Sequence, residues 1–343
     1  MEMIGYPGSG SQRLAVNESS MTAEARRTTR KAALNLGFAE RQCDEIGIVV
    51  TEICTNLVKH AKVGELVVTA LPGGSERASV LDVLALDHGP GMPNLEECLR
   101  DGYSTGGTPG HGLGAVVRLS NFADFYSVLQ RGTAILARWE TKAPAPQPSE
   151  RMKIGGVNVP KANEDLSGDN WGVTASPTRT TLLVADGVGH GPDAHVASLD
   201  AVRTLLKHPG YSPLELLEAC HGALRGGRGA AIGVAHIDHA AGKLLFAGVG
   251  NISARVYAGL AVHQSLVSVN GTSGHQCERL QQFTYSWPSN GILQMHSDGL
   301  STGTGIESYP GLALRDPSLI AGVLYRDFTR GRDDATVVVA KSS

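Results

Sequence analysis

Two sets of residues in this chain have types and spacings that could do chemistry. In the first half Glu52 and Asn56 lie four residues apart, Asp87 stands before a turn containing Gly89 and Gly91, and a glycine-rich stretch runs from Gly106 to Gly114. A carboxylate, an amide and exposed glycine N–H groups are what the phosphates of a nucleotide and their cation require. In the second half Asp169, Asp186 with Gly187, Asp298 and Asp333 are hard oxygen donors, spread as the cage of a divalent metal would be. One half could add phosphate and the other remove it.

Definite elements must position these groups. Thr22 to Leu36 reads as a helix with Thr22 as its N-cap, and Asp44 to Lys62 as a longer one capped by Asp44. Ile46, Val49, Ile53, Leu57 and Ala61 recur at helical spacing and would face a core, while Glu52, Asn56 and His60 form a different stripe that would face a ligand. His60 is read as a packing or hydrogen-bonding residue and stays outside catalysis. Alternating segments at 65–70, 79–87 and 134–139 predict strands, so the first half is helices on a mixed or antiparallel sheet. The glycine-rich stretch runs into a helix beginning near Gly112, whose free N–H groups would favour phosphate. It follows neither the Walker nor the Rossmann pattern.

In the second half, 152–159 and 172–175 predict strands around the turn NEDLSGDNW, and 180–185 a buried strand ending at Asp186. HSDGLSTG repeats the strand-end aspartate at Asp298, and RDDATVVVA sets Asp333 and Asp334 just before a final strand. Three acidic strand ends would converge if the sheet is antiparallel. Hard metals prefer oxygen, so His190 and His195 are read as rim residues.

Four segments in order resemble the ATP-binding GHKL family, in its serine-kinase branch of anti-sigma-factor and stress-complex (stressosome) switch kinases: TEICTNLVKHA, DHGPGM, GHGLGAVVRLSNF and GTAILARW, over about residues 10 to 140. The resemblance implies that Asn56 ligates a Mg²⁺ bridging the phosphates of ATP and that Asp87 accepts a hydrogen bond from the adenine amino group. Thr133 assists it, and Gly89 and Gly91 shape the adenine box. Gly110, Gly112 and Gly114 form the phosphate lid, and Glu52 acts as general base toward a protein serine or threonine hydroxyl. From about 152 to 341 the chain is similar to the metal-dependent protein phosphatases of type 2C, in their bacterial stress-response and sporulation branch, through ADGVGHG, SDGL and RDDATVVV. That resemblance implies two Mn²⁺ or Mg²⁺ ions, Asp186 bridging them, a carbonyl from Gly187, and Asp169, Asp298 and Asp333 completing the shells, with Asp334 behind. A water between the metals would attack phosphorus. The segment before its first motif shows no evident arginine to grip a phosphate.

The implied fold is α+β in two domains: an N-terminal GHKL (Bergerat) α/β sandwich at 1–142 and a C-terminal type 2C phosphatase-like α-β-β-α sandwich at 152–343. Between them, at 143–151, alternating prolines in KAPAPQPSER stiffen an extended linker. A net charge of −3 with interspersed signs offers no basic stripe for nucleic acid and no polybasic run for a membrane. Five scattered cysteines without a Cys-x-x-Cys pair predict neither disulfides nor a zinc site. With no leader-like opening and no long apolar run, a cytoplasmic protein is expected. Together the resemblances imply a bifunctional protein kinase and phosphatase acting on STAS-domain scaffold or antagonist proteins, with a downstream switch protein or sigma factor as a further partner. The alternatives are an anti-sigma module that sequesters a sigma factor, its phosphatase acting on the antagonist, and a pseudoenzyme in one half.

Overall fold

The computed structural model describes residues 10–61, 63–73, 78–98, 112–141, 151–259, 261–277 and 279–343. Gly110 and the linker at 143–150 lie outside the described residues. The chain divides into two compact units, the division falling between residues 146 and 147.

The first unit is one antiparallel sheet of β1 (Ser11–Val16), β2 (Gly64–Leu71), β3 (Val80–Asp87), β5 (Gly132–Glu140) and β4 (Phe122–Val128), in that order. The sequence left the sheet open as mixed or antiparallel; hairpin and edge pairings make it wholly antiparallel. The strands β1 and β4 were not foreseen, and they form its two edges. One face carries α1 (Met21–Asn35), α2 (Glu40–Asn56) and α4 (Gly112–Leu119); a short α3 (Leu95–Cys98) follows the β3 turn. Ile46, Val49, Val50 and Ile53 of α2 pack on Leu66, Val68, Val83 and Ile135 of the strands, all almost fully buried.

Both predicted caps are corrected. The α1 helix starts at Met21 behind Ser20, with Thr22 already inside it, and α2 starts at Glu40, four residues before Asp44. There the N-cap is Ala39, whose N–H is taken by the Gln42 side chain at 3.4 Å, and Cys43 already belongs to the buried face. Apolar periodicity extends the helix past the better capping residue. At the other end, regular α-helix stops at Asn56 and Leu57–Ala61 forms a π-helical turn. Its wider spacing rotates His60 off the Glu52–Asn56 stripe, and His60 is exposed.

The second unit has two five-stranded antiparallel sheets. One is ordered β13 (Gln282–Ser286), β10 (Lys243–Val249), β9 (Ala230–Asp238), β8 (Arg179–Gly187), β7 (Asp169–Ala175); the other β12 (Ala261–Ser265), β11 (Ser253–Ala258), β14 (Gly291–His296), β15 (Ala335–Ser342), β6 (Met152–Val159). The helices α5 (Pro192–Lys207) and α6 (Pro213–Ala223) cover the first sheet, and α7 (Pro317–Phe328) the second. This is the α-β-β-α layering the resemblance implied. Ala194, Ala197, Ala201, Val202 and Leu205 form the buried stripe of α5, its three alanines letting the first turns lie close to the sheet. The α6 helix has a reciprocal cap: Ser212 Oγ accepts from Glu215 N–H at 3.3 Å, and Glu215 accepts from Ser212 N–H at 2.7 Å.

Candidate functional sites

In the first unit α2 supplies Glu52 and Asn56, both half-buried, and α4 begins against them. A Cβ on Gly112 would lie 3.2 Å from Glu52 Oε2 and 3.4 Å from Asn56 Nδ2. The first residue of α4 therefore lies directly against the ends of the carboxylate and amide side chains. Gly114 is buried one residue pair further on.

The second part of this site is a pinned turn. Asp87 ends β3, and its Oδ1 accepts N–H bonds from Gly89 at 2.7 Å and Thr133 at 3.2 Å. Two amide donors fix the orientation of the carboxylate. Thr133 Oγ1 lies 3.0 Å from Ser127 Oγ, which in turn accepts the Met92 N–H at 2.8 Å. Gln130 N–H donates to Pro90 O at 2.8 Å, and Gly91, at φ +72°, has no room for a Cβ beneath Val128 O. The 87–92 turn is thus fastened to the β4–β5 hairpin, while Gly89 packs on Ala61 at the end of the π-helical turn. Asp87, Gly89, Gly91 and Thr133 come together, as do Glu52, Asn56 and Gly112. Ser127, which the sequence reading missed, links the two strands of the hairpin to the turn; a serine in an alternating strand gives no signal of that role.

In the second unit Asp169 and Asp186 face each other as register partners on β7 and β8. Asp298 follows β14 and Asp333 precedes β15, neighbours in the other sheet. The acidic residues converge from the two antiparallel sheets. Asp169 is the first residue of β7, not part of the preceding turn, and it is buried. Its Oδ2 accepts from Ser297 Oγ at 2.6 Å, and Asn158 Nδ2 donates to its backbone carbonyl at 2.9 Å, bonds that tie the two sheets together at the site. Asp298 Oδ2 accepts from Asn251 Nδ2 at 2.6 Å. Asp334 Oδ1 accepts the Lys161 N–H at 2.8 Å, and Asp333 Oδ1 accepts the Asp334 N–H at 3.0 Å.

The electrostatics follow from this crowding. Burial pushes the Asp186 carboxyl far above the usual carboxylate range, and the charges of Asp169, Asp298, Asp333 and Asp334 push it further. Asp169 is raised mainly by burial, against the Ser297 hydrogen bond, and Asp334 is raised by burial as well. Several carboxylates held this close resist ionising together without a cation. The donor set is oxygen throughout and fits Mg²⁺ or Mn²⁺. Among the described residues no group of three or more acidic, histidine or cysteine side chains lies close enough together to form a direct shell. Gly187 has no space for a Cβ against the Ala194 carbonyl, and Gly187 N–H donates to Gly168 O at 3.1 Å.

The two rim histidines divide. His195 Nδ1 lies 2.8 Å from Ser167 O and holds the loop before Asp169 to α5. His190 Nδ1 lies 2.7 Å from Glu164 Oε1, which clasps the NEDLSGD loop to the loop after Asp186. Ser297, Asn251 and Glu164 were missed by sequence reasoning; only Ser297 had a signal, its place beside the strand-end Asp298.

Two known families match the chain, one in each unit. The histidine kinase-like ATPase domain family matches residues 15–139 and the stage II sporulation protein E family residues 176–343. The serine/threonine-protein kinase RsbT of Bacillus subtilis (strain 168) is 32% identical over 116 residues, 34% of this chain and 86% of that protein. The phosphoserine phosphatase RsbX of the same organism is 22% identical over 154 residues, 45% of this chain and 77% of that protein. A solved structure described under the bacterial stressosome, "a modular system that has been adapted to control secondary messenger signaling", has 26% identity and a TM-score of 0.51, covering 56% of this chain and all of that one.

Fold and sites define a two-domain α+β protein in which a GHKL-like ATPase unit is joined to a type 2C phosphatase unit. The chain belongs to the RsbT family of partner-switch kinases through its first unit and is homologous to the RsbX phosphatase through its second. ATP and Mg²⁺ or Mn²⁺ are the usual cofactors of these two families. No helix among the described residues is long and apolar enough to cross a membrane.

Proposed function

We propose that this chain is a bifunctional protein serine/threonine kinase and phosphatase that sets and resets the phosphorylation of a STAS-domain partner in bacterial stress signalling. The observation that supports it best is the presence of both sites in one chain, each with its chemistry-bearing residues in reach of one another. In the first unit Asn56 would hold the Mg²⁺ of ATP, Asp87 with Thr133 would read the adenine, Gly110, Gly112 and Gly114 would take the phosphates, and Glu52 would accept the proton of the attacking hydroxyl. Phosphoryl transfer depends mostly on such positioning and charge neutralisation.

In the second unit Asp186, the Gly187 carbonyl, Asp169, Asp298 and Asp333 would hold two divalent cations, with Asp334 behind them. The metals, when bound, supply a nucleophile at neutral pH and neutralise charge on the phosphoryl group. The protein's own part is to fix the carboxylates. Ser297 orients Asp169, Asn251 orients Asp298, and the Lys161 N–H orients Asp334. Joining both units in one chain raises the effective concentration of each near a shared partner.

The test is intact-mass measurement of a co-encoded STAS-domain protein. Incubation with Mg²⁺ and ATP should add one phosphate, and removal of ATP with addition of Mn²⁺ should remove it. Glu52→Ala should still bind ATP but transfer phosphate about 10²- to 10⁴-fold more slowly, the span expected of a general base. Nucleotide binding without transfer, together with stable copurification of a sigma subunit, would favour a sequestering protein.

A further inference from the structure

We propose that Arg228 is the group that binds the substrate's phosphoryl oxygens at the second site, an inference that rests on the phosphatase reading above. Arg228 lies 42 residues beyond Asp186 in sequence, in the glycine-rich segment RGGRG that leads into β9. The register of β8 and β9 sets Ala231 opposite Asp186 and Ala230 opposite Gly187. One step further, Val188 N–H donates to Gly229 O at 3.0 Å. The Arg228 carbonyl lies 2.9 Å from His275 Nε2. Residue 228 is therefore held by its backbone beside the loop that follows the central aspartate.

Its side chain turns over that loop. A Cβ on Gly189, which sits at φ +92°, would be 3.0 Å from Arg228 Nη1, so the tip of the guanidinium lies beside the main chain there. The far side of the same loop is fastened by the His190–Glu164 pair. The guanidinium makes one ion pair, from Nη2 to Asp193 Oδ2 at 3.2 Å, and that carboxylate is 73% exposed while Arg228 is 50% exposed. Exposed pairs of this kind contribute little, and a guanidinium has five donors in a planar fork that matches two phosphoryl oxygens. The neighbourhood explains why such a group is needed. Asp169, Asp298, Asp333 and Asp334 gather around Asp186 there, and a phosphate monoester brings negative charge of its own into this acidic site. An arginine beside that loop offsets the repulsion and orients the ester, the weak pair with Asp193 leaving its fork available to the phosphoryl oxygens.

The test uses the full chain loaded with Mn²⁺, with a phosphoserine peptide and para-nitrophenyl phosphate as substrates and inorganic phosphate as inhibitor. Arg228→Ala should raise KM for the peptide and the inhibition constant of phosphate by roughly tenfold or more, the loss expected for charge-assisted hydrogen bonds. Its kcat should change less and its Mn²⁺ affinity, by calorimetry, not at all. Arg228→Lys should fall between, keeping charge without the fork, and provides the reading if the alanine variant does not fold. Arg225→Ala, an exposed cation three residues upstream, should match wild type and so separates local binding from general steering. An unchanged inhibition constant in Arg228→Ala overturns the proposal. If the wild-type chain hydrolyses neither substrate, the phosphatase reading falls instead. Calorimetry of inorganic phosphate with the Mn²⁺-loaded chain then decides: binding lost in Arg228→Ala upholds the inference, and equal binding, or none in wild type, removes it.

Discussion

Asp186 shows how far a single residue can be pushed by its surroundings. It is only partly exposed, and four other carboxylates bear on it, so in the metal-free protein its charge opposes folding. Replacing it with asparagine keeps the shape and removes the ionisable group, and with it the cost of holding that carboxyl protonated or of bearing the repulsion. Asp186→Asn is therefore expected to melt higher than wild type in chelator, by roughly 3–6 °C for a unit of this size. The same variant should lose the rise in melting temperature that Mn²⁺ gives wild type, because ligand binding to the folded state is what produces that rise. Differential scanning calorimetry with and without Mn²⁺ reads both effects. A chelated variant that melts below wild type would mean that Asp186 serves folding and not the cation. Arg228 illustrates the opposite case, an exposed side chain whose weak ion pair leaves it available.

At the scale of elements, the first site depends on a strand start and a strand end that touch. Gly132 opens β5 at φ +92°, and a Cβ there would overlap the Asp87 carbonyl at the end of β3. Relief would require main-chain movement, since the obstructing atom is not the end of a flexible side chain. Gly132→Ala is predicted to cost about 3 kcal/mol or more, from the clash and the left-handed backbone together. It should also weaken binding of a fluorescent ATP analogue by displacing the Thr133 N–H that holds Asp87. Urea unfolding of the full chain, followed through its first unit, measures the cost; a loss under 1 kcal/mol with intact nucleotide binding would contradict it. The π-helical turn after Asn56 belongs to the same scale, because it delivers Ala61 to Gly89 and so joins the α2 part of the site to the turn part.

The molecule as a whole has buried histidines whose titration sets a pH limit on the second unit. His236, on β9, and His296, at the end of β14, both have pKa values lowered by burial first, His236 also by the Arg179 charge. In the unfolded chain each returns to about 6.5. The folded form thus binds fewer protons than the unfolded form below that pH, and stability falls as pH drops through it; above about 7 the contribution is complete. The carboxylates of the metal site have raised values and act in the opposite sense when no cation is bound, so the measurement belongs in saturating Mn²⁺. Under those conditions the urea midpoint of the second unit should be level from pH 7.5 to 8.5 and decline from 6.5 to 5. The double variant His236→Gln, His296→Gln should show a shallower decline. An equal slope in that variant would assign the acid sensitivity to other groups.

Much of the site was legible because its residues stand where short-range patterns place them. Asp186, Asp298 and Asp333 sit at strand ends beside glycine or a second aspartate, and Glu52 and Asn56 share a helix face, so local spacing alone shows them as sets. The α-β-β-α layering was implied by the family resemblance that the ordered motifs carry, and the proline-rich segment marked the division into two units. Local signals also misled: Asp44 is a good capping residue, yet apolar periodicity carried α2 four residues past it. What tertiary structure alone decided was contact between distant segments, since register and sheet packing are set by the whole core and not by any window of sequence. That is how Asp169 came to pair with Asp186, Ser297 with Asp169 across the two sheets, and Asn251 with Asp298. It is also how Arg228 reached the loop at Gly189, where no pattern before the first motif had shown an arginine.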